Sequence, residues 1–283
     1  MFFSLDSCVE SFRKTLEITC EGLWTVQGQS IAKLVSLGIF SNGMSWKLFK
    51  EYKQWGVLHL LILSGSQFYS FIYAFEFLLR MLQRVFLKRS FPQITKAFLL
   101  PAAYIYLQTL SFSAPLVRCA LLWISQELIR PYFKGTTILL TLVFCVHLIV
   151  IENLTPSDSA FLSWLSFLTL LTVQKFLKHP LIQNLLISSL LQASICLIKG
   201  LPFSFLLFLR TMIANLILLP LYEKGVFPFV GLITALALLL SLILPFNASY
   251  WISRVFIAPP TTLILDLLLS PLLVAHRAFR YTF

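Results

Sequence analysis

The chain is poor in charged residues, which make up 12% of its 283 residues, while hydrophobic residues make up 58%. About a quarter of an ordinary soluble domain is charged, so the composition argues against that class. A membrane-spanning helix takes about 20 apolar residues, and the apolar runs leave room for about eight or nine such helices. We therefore predict an all-α, polytopic integral membrane protein with some transmembrane helices broken or half-length.

The chain also lacks the motifs of common enzyme and metal-site classes. No Gly-x-Ser-x-Gly nucleophile elbow occurs, and no dinucleotide motif is present. His59 and Ser64 stand five residues apart, which places them on different faces of a helix. The four histidines are scattered, without clustered carboxylates. We predict that the chain is not an enzyme and has no cofactor and no metal site.

Cysteine is scarce as well, with five residues in the chain. Cys119, Cys145 and Cys196 lie in apolar runs, where cysteine packs as a small hydrophobic residue. Cys8 and Cys20 could form a disulfide if the N-terminus faces an oxidising compartment. Their spacing alone leaves that open.

Polar residues concentrate near the N-terminus, where the first 55 residues hold five of the eleven acids. We predict a polar helical segment over 1–55, external or on the membrane surface, and a polytopic membrane channel domain over 56–283. The apolar runs predict spans at 56–79, 97–112, 115–130, 135–151, 159–174, 181–198, 203–221, 226–245 and 255–275.

Lysine and arginine concentrate in alternate loops between these runs. Five of them lie between Arg80 and Lys96, and Arg277 and Arg280 follow the last run, whereas 113–114 and 152–158 contain none. Cytoplasmic loops of membrane proteins carry an excess of such residues. The pattern predicts a cytoplasmic C-terminus.

Polar residues recur at helical spacing within several apolar runs. A stripe of this kind is either a contact between helices or one wall of a polar interior, and the sequence leaves both open. Arg118 either reaches the membrane interface or faces that interior, where it would offer a fork for phosphate. The stripes are His59, Ser66 and Ser70; Ser159, Ser163 and Ser166; Asn184, Ser188 and Gln192; and Ser204, Thr211 and Asn215, with Arg210 nearby.

Several segments resemble, in order, those of the ComEC-type competence proteins, which are bacterial inner-membrane channels for transforming DNA. Gly56-Val-Leu-His-Leu-Leu-Ile-Leu-Ser-Gly65 is similar to the family's Gly-x-x-His-Leu-Leu-Ala-Ile-Ser-Gly signature. The others are Ser113-Ala-Pro-Leu-Val-Arg-Cys-Ala120, Leu165-Ser-Phe167, Ser189-Leu-Leu-Gln-Ala193 and Ile213-Ala-Asn-Leu-Ile-Leu-Leu-Pro220.

This resemblance implies a multi-pass channel of the bacterial cell inner membrane that passes single-stranded transforming DNA into the cytoplasm during natural competence. It departs from the family at Gln67, where a second histidine is usual. The alternatives are a transporter of another anionic or polar solute, or a non-transporting remnant or scaffold. The candidate residues for the DNA path are His59, Ser64, Gly65, Gln67, Arg118, Ser166, Gln192, Arg210 and Asn215.

The partners implied are single-stranded DNA and membrane lipids, together with a separate DNA receptor, a nuclease and a cytoplasmic motor ATPase. The nuclease would be separate because the chain has no room for the metallo-β-lactamase-like or OB-like modules of many family members. The motor would be separate because the sequence contains no ATPase signature. A homo-oligomer is compatible with the sequence.

Overall fold

The computed structural model of the chain describes a set of helices and the turns beside them. Within the described residues, the helices group into two compact units, called unit 1 and unit 2 below. The described residues are 5–21, 65–89, 91–110, 112–129, 136–151, 157–176, 178–200, 204–205, 208–209, 212, 224 and 227–243.

Unit 1 contains four helices: α1 (Leu5–Glu21), α2 (Gly65–Leu87), α3 (Pro92–Thr109) and α8 (Phe227–Ile243). Helix α8 packs along α2, α3 packs against α2, and α1 contacts both α3 and α8. One face of α2 forms the centre of this core, because apolar side chains recur there at helical spacing. They are Phe68, Phe71, Ile72 and Phe75, all buried.

Two close contacts hold this core together. A Cβ added to Gly231 of α8 would stand 2.6 Å from the carbonyl carbon of Ser70 and 2.9 Å from the nitrogen of Phe71. Only glycine allows backbones to approach this closely. The Tyr106 ring of α3 stacks on Phe71, with ring centroids 4.3 Å apart and planes 15° apart.

The end of α2 contacts the start of α3. Lys88 has a φ of 53°, in the left-handed region that often ends a helix. The side-chain oxygen of Gln83 accepts hydrogen bonds from the Phe91 N–H at 2.9 Å and from the Thr95 hydroxyl at 3.3 Å. Gln83 therefore ties the end of α2 to the start of α3.

Unit 2 contains α4 (Ala114–Ile124), α5 (Thr136–Val146), α6 (Asp158–Phe176) and α7 (Pro180–Lys199). Both α4 and α5 continue into a five-residue π-helical turn, Ser125–Ile129 and His147–Ile151 respectively. Helix α6 packs against α4 and α7, and α4 also contacts α5. The buried side chains of Leu122, Val143 and Trp164 join α4, α5 and α6.

The helices correct the predicted fold class. Within the described ranges, every helix falls short in length or in apolar character of what crossing a membrane requires. Helix α2 has 23 residues but is interrupted by Glu76, Arg80 and Arg84, whereas the uncharged α8 has only 17 residues, against about 20 apolar residues for a span. This finding contradicts the predicted polytopic membrane protein with eight or nine transmembrane helices and its multi-pass inner-membrane location.

Several predicted runs nevertheless coincide with helices. The runs 97–112, 159–174, 181–198 and 226–245 correspond to α3, α6, α7 and α8 within a few residues. Within the predicted N-terminal segment 1–55, residues 5–21 form α1 and Cys8 is a free thiol. The predicted boundary at residue 55, most of the run 203–221 and all of 255–275 lie outside the described residues.

Candidate functional site

Helix α4 begins where its sequence predicts a start. Ser113 occupies the N-cap position and Pro115 lies in the first turn, where the missing N–H has no helical partner to lose. The Ser113 side chain makes no capping hydrogen bond. Arg118 follows one turn into the helix and is partly buried. The helix therefore presents a charged group among the mostly apolar side chains of unit 2.

Contacts with α6 hold the Arg118 side chain. Its Nη1 group donates a hydrogen bond to the backbone carbonyl oxygen of Ser163, and its guanidinium carbon lies 5.1 Å from the centroid of the Phe167 ring. The hydrogen bond and the cation–π contact fix both the position and the plane of the guanidinium. A guanidinium has five N–H donors, and its buried Nε has no acceptor among the described residues.

An aromatic cluster lies beside this contact. The Trp164 ring stands edge-to-face with Phe144, His147 and Phe167, at centroid separations of 5.2, 5.9 and 6.0 Å. Aromatic pairs prefer this geometry. Sequence reasoning treats His147 as one of four scattered histidines, yet it is fully buried. The signal for it in the sequence is an ionisable side chain within an apolar run.

The Cys119 thiol, next to Arg118, is unreactive. Burial raises the pKa of the Cys119 thiol above its usual 9.0, and the neighbouring Arg118 guanidinium opposes part of that shift. The Arg118 Nη2 atom lies 3.8 Å from Cys119 Sγ. Since the thiolate is the reactive form, Cys119 is protonated at neutral pH and is a poor nucleophile.

Helix α7 supplies a second polar contact. Gln192 Nε2 donates to the backbone oxygen of Ser204 at 2.9 Å, and Gln192 Oε1 is buried without a donor in the described part of the chain. The Ser166 hydroxyl instead donates to the Leu162 oxygen of its own helix at 2.6 Å. Such a bond satisfies the hydroxyl donor within the helix, while the oxygen can still accept.

The predicted site residues divide between the two units. Arg118, Ser166 and Gln192 lie in unit 2 on α4, α6 and α7, and α6 contacts both other helices. In unit 1, Gly65 is the first residue of α2 and Gln67 is buried. Whether these residues line a common path stays a prediction. The other candidates, His59, Ser64, Arg210 and Asn215, lie outside the described residues.

The chemistry that the Arg118 region offers is hydrogen-bond donation. The Ser163 hydroxyl and the Trp164 indole N–H are buried, and no described residue is their hydrogen-bond partner. Donors beside a fixed guanidinium suit an anionic oxygen, since charge-assisted hydrogen bonds are the stronger kind. Within the described ranges, no group of three or more His, Cys, Asp or Glu side chains could hold a metal ion.

Comparison with known proteins adds no family to these observations. A scan against protein-family models gave no match. Searches for similar curated proteins and for similar solved structures also gave none. The resemblance to ComEC-type competence proteins therefore depends on the sequence segments described above.

Proposed function

We propose that the chain binds single-stranded DNA and acts in the uptake of transforming DNA, as the resemblance to ComEC-type competence proteins implies. The proposal does not include a membrane-spanning pore. The observation that carries it is the ordered set of resembling segments, one of which contains Arg118, whose guanidinium is held by the Ser163 carbonyl and the Phe167 ring.

The physics of a DNA strand suits such a site. Each nucleotide brings a phosphate, and arginine matches phosphate oxygens with a planar fork of donors. Phosphate contacts dominate affinity for nucleic acids, so many cations would hold a moving strand too tightly. Between Phe112 and Gly200, the described residues include three lysines besides Arg118, namely Lys175, Lys178 and Lys199, of which Lys175 and Lys178 are exposed. One fixed cation among neutral donors therefore favours contact followed by release.

Deletion of the gene tests the proposal in cells. We expect labelled DNA to remain outside the cytoplasm in the deletion strain, and expression of the wild-type chain to restore entry. Normal cytoplasmic entry of DNA in the deletion strain would show that the chain has no part in uptake.

Substitution of Arg118 tests the site itself. We expect Arg118→Gln to reduce transformation at least tenfold, because the neutral amide keeps hydrogen bonding but loses the charge. Arg118→Lys keeps the charge but loses the planar fork of donors, so its transformation frequency should lie between those of the wild type and Arg118→Gln. Arg13→Gln on α1 is the matched control. Arg13 is exposed, and its ion pair in the described part of the chain is with Glu17, one helical turn away. Equal transformation by the Arg118→Gln and Arg13→Gln strains would contradict the site.

A scaffold without DNA contact is the second candidate, and a specific observation favours it. Several hydroxyls of unit 2 donate to carbonyl oxygens of their own helices, as helix-packing serines do. For a scaffold of this kind, we expect Arg118→Gln to leave DNA entry unchanged and to lower the thermal stability of the chain. The hydroxyls are those of Ser125, Ser166, Ser189 and Ser194.

A further inference from the structure

The exposed face of α2 mixes aromatic and cationic side chains in a single stripe. Tyr73, Phe77, Arg80 and Arg84 follow one another at spacings of four, three and four residues, which places them along one side of the helix, and Lys88 comes directly after the helix end. Tyr73 is 62% exposed and Phe77 57% exposed, and the three cations are exposed as well. These five residues are called the α2 stripe below.

From this arrangement we propose that the α2 stripe is a binding surface for single-stranded DNA, on which bases stack on the rings and phosphates contact the cations. The inference rests on the proposed function and names the surface that would carry it. It concerns unit 1 alone and does not involve Arg118.

The charge around the stripe suits an anionic strand. Residues 65–110 contain five lysines and arginines and a single acid, Glu76. Glu76 pairs with Arg80 four residues along the helix, and such an exposed pair contributes little to stability. Arg89, next to the stripe, is also exposed. The surface therefore attracts phosphate groups. Contacts with phosphates supply most of the affinity in non-specific binding to nucleic acids.

The aromatic side chains are placed for stacking. Tyr69 and Tyr73 are one turn apart with ring centroids 6.2 Å apart and planes 26° apart, so the rings already lie nearly parallel. Stacking of a base on an aromatic side chain contributes about 1–3 kcal/mol and depends little on base identity. An exposed ring also loses apolar contact with water when a base covers it. Phe77 follows one turn later and extends this row.

The stripe is held on a rigid support. The opposite face of α2 is buried in the core of unit 1 through Phe68, Phe71 and Phe75, and the close approach at Gly231 fixes α8 against it. The contacts of Gln83 with the start of α3 hold the basic end of the helix. A strand would therefore meet a preformed surface, with little ordering of the protein on binding.

The mixing of charge and rings favours DNA over a lipid surface. A helix that lies on lipid separates an apolar face from a charged face. In the α2 stripe, Arg80 and Arg84 continue the same line as Tyr73 and Phe77, so the rings and the cations do not lie on separate faces. A nucleic acid alternates flat bases with charged phosphates and fits such a surface.

Binding of a fluorescently labelled deoxythymidine 16-mer to the purified full-length chain tests the inference. We expect Tyr73→Ala with Phe77→Ala to weaken binding at least tenfold, and Tyr73→Phe with Phe77→Tyr, which keep the rings, to retain it. Arg84→Gln with Lys88→Gln should reduce the salt dependence of log K by about 1.4, because each lost single-strand phosphate contact removes about 0.7. Phe98→Ala, at a 54% exposed ring on α3, is the control.

Two results would overturn the surface. The first is equal binding by the ring-deleted variant and the Phe98→Ala control, with circular dichroism showing both folded. The second is tighter binding to anionic phosphatidylglycerol vesicles than to the oligonucleotide, together with loss of vesicle binding in the same variants. That result would make the α2 stripe a lipid-binding surface.

The binding experiment on the α2 stripe and the gene deletion that tests the proposed function can fail independently. If the variants bind the oligonucleotide normally while the deletion strain fails to import DNA, the surface is wrong and the function stands. If the variants lose binding while the deletion strain imports DNA normally, the surface is right and the role in uptake is wrong.

Discussion

Gly231 and Ser70 bring two helix backbones into direct contact. The carbonyl carbon and oxygen of Ser70 lie 2.6 and 2.7 Å from the place where a Cβ on Gly231 would stand. Real Cβ atoms do not come this close to backbone atoms, and a helix backbone cannot move aside as a side chain can. The contact therefore fixes the distance between α2 and α8 in unit 1.

Gly231→Ala should destabilise the chain by about 1–3 kcal/mol, the usual cost of overpacking a core. Chemical denaturation followed by circular dichroism measures this loss. Ser70→Gly should not rescue the variant, because the atoms that the new methyl meets belong to the Ser70 backbone. Full rescue by Ser70→Gly would show that the side chain, and not the backbone, sets the distance.

Lys88→Gly should stabilise the chain. Lys88 has a φ of 53°, and this conformation costs an ordinary residue about 1–2 kcal/mol that glycine does not incur. Part of that gain is lost to the greater freedom of glycine in the unfolded chain, so we expect about 1 kcal/mol. Lys96→Gly, inside α3, is the control and should destabilise by about 1 kcal/mol. A loss of stability in Lys88→Gly would contradict the turn conformation.

Gln83→Ala should loosen the turn between α2 and α3. It removes the oxygen that accepts from the Phe91 N–H and the Thr95 hydroxyl, at a cost of about 1 kcal/mol. Hydrogen exchange at the Phe91 amide should become faster. Gln83→Glu keeps the accepting oxygen and should preserve protection. Equal exchange at Phe91 in the wild type and in Gln83→Ala would show that the contact is not formed in solution.

Alkaline conditions should weaken unit 1 through Tyr106. Burial raises the pKa of the Tyr106 phenol above its usual 10.0, so its contribution is fully present below pH 10 and is lost as the pH rises above that value. The expected slope is at most about 1.4 kcal/mol per pH unit. Tyr106→Phe should reduce the slope by the contribution of Tyr106, with Tyr73→Phe at an exposed ring as the control. Unfolding titrations between pH 9 and 11 measure it, and identical slopes in the wild type and Tyr106→Phe would contradict the burial.

Much of the helix layout follows from the sequence. Proline marks the start of α3, α4 and α7 through Pro92, Pro115 and Pro180, because its fixed φ suits the first helical turn. The apolar runs coincide with the middles of these helices. The end of α2 was harder to predict, since Arg80 and Arg84 end the hydrophobic run without ending the helix, arginine being a good helix former.

The step from apolar runs to membrane spans failed for a physical reason. Hydrophobicity averaged along the chain does not distinguish a helix that faces lipid from one whose apolar face packs on other helices. Helix α8 shows this, because Val230, Ala237 and Leu238 are buried in unit 1 while the helix has 17 residues. Composition alone gave no measure of continuous helix length.

The contacts around Arg118 could not be predicted from the sequence. Helical spacing identified Arg118 and Ser163 as polar residues inside apolar runs. Their hydrogen bond joins positions 45 residues apart, and periodicity reports which way a side chain points on its own helix, not which partner it meets. Helical spacing identified neither His147 nor Trp164, whose ring contact joins the π-helical turn after α5 to α6.

The two π-helical turns of unit 2 have a consequence for changes in chain length. A π turn is an α-helix with one residue inserted, so deleting one residue within Ser125–Ile129 or His147–Ile151 can restore a regular helix without rotating what precedes it. Deleting a residue within α6 would instead turn half of that helix by about 100° and carry Phe167 away from Arg118. Among the described helices of unit 2, these two turns are therefore positions where the chain can shorten by one residue and keep its fold.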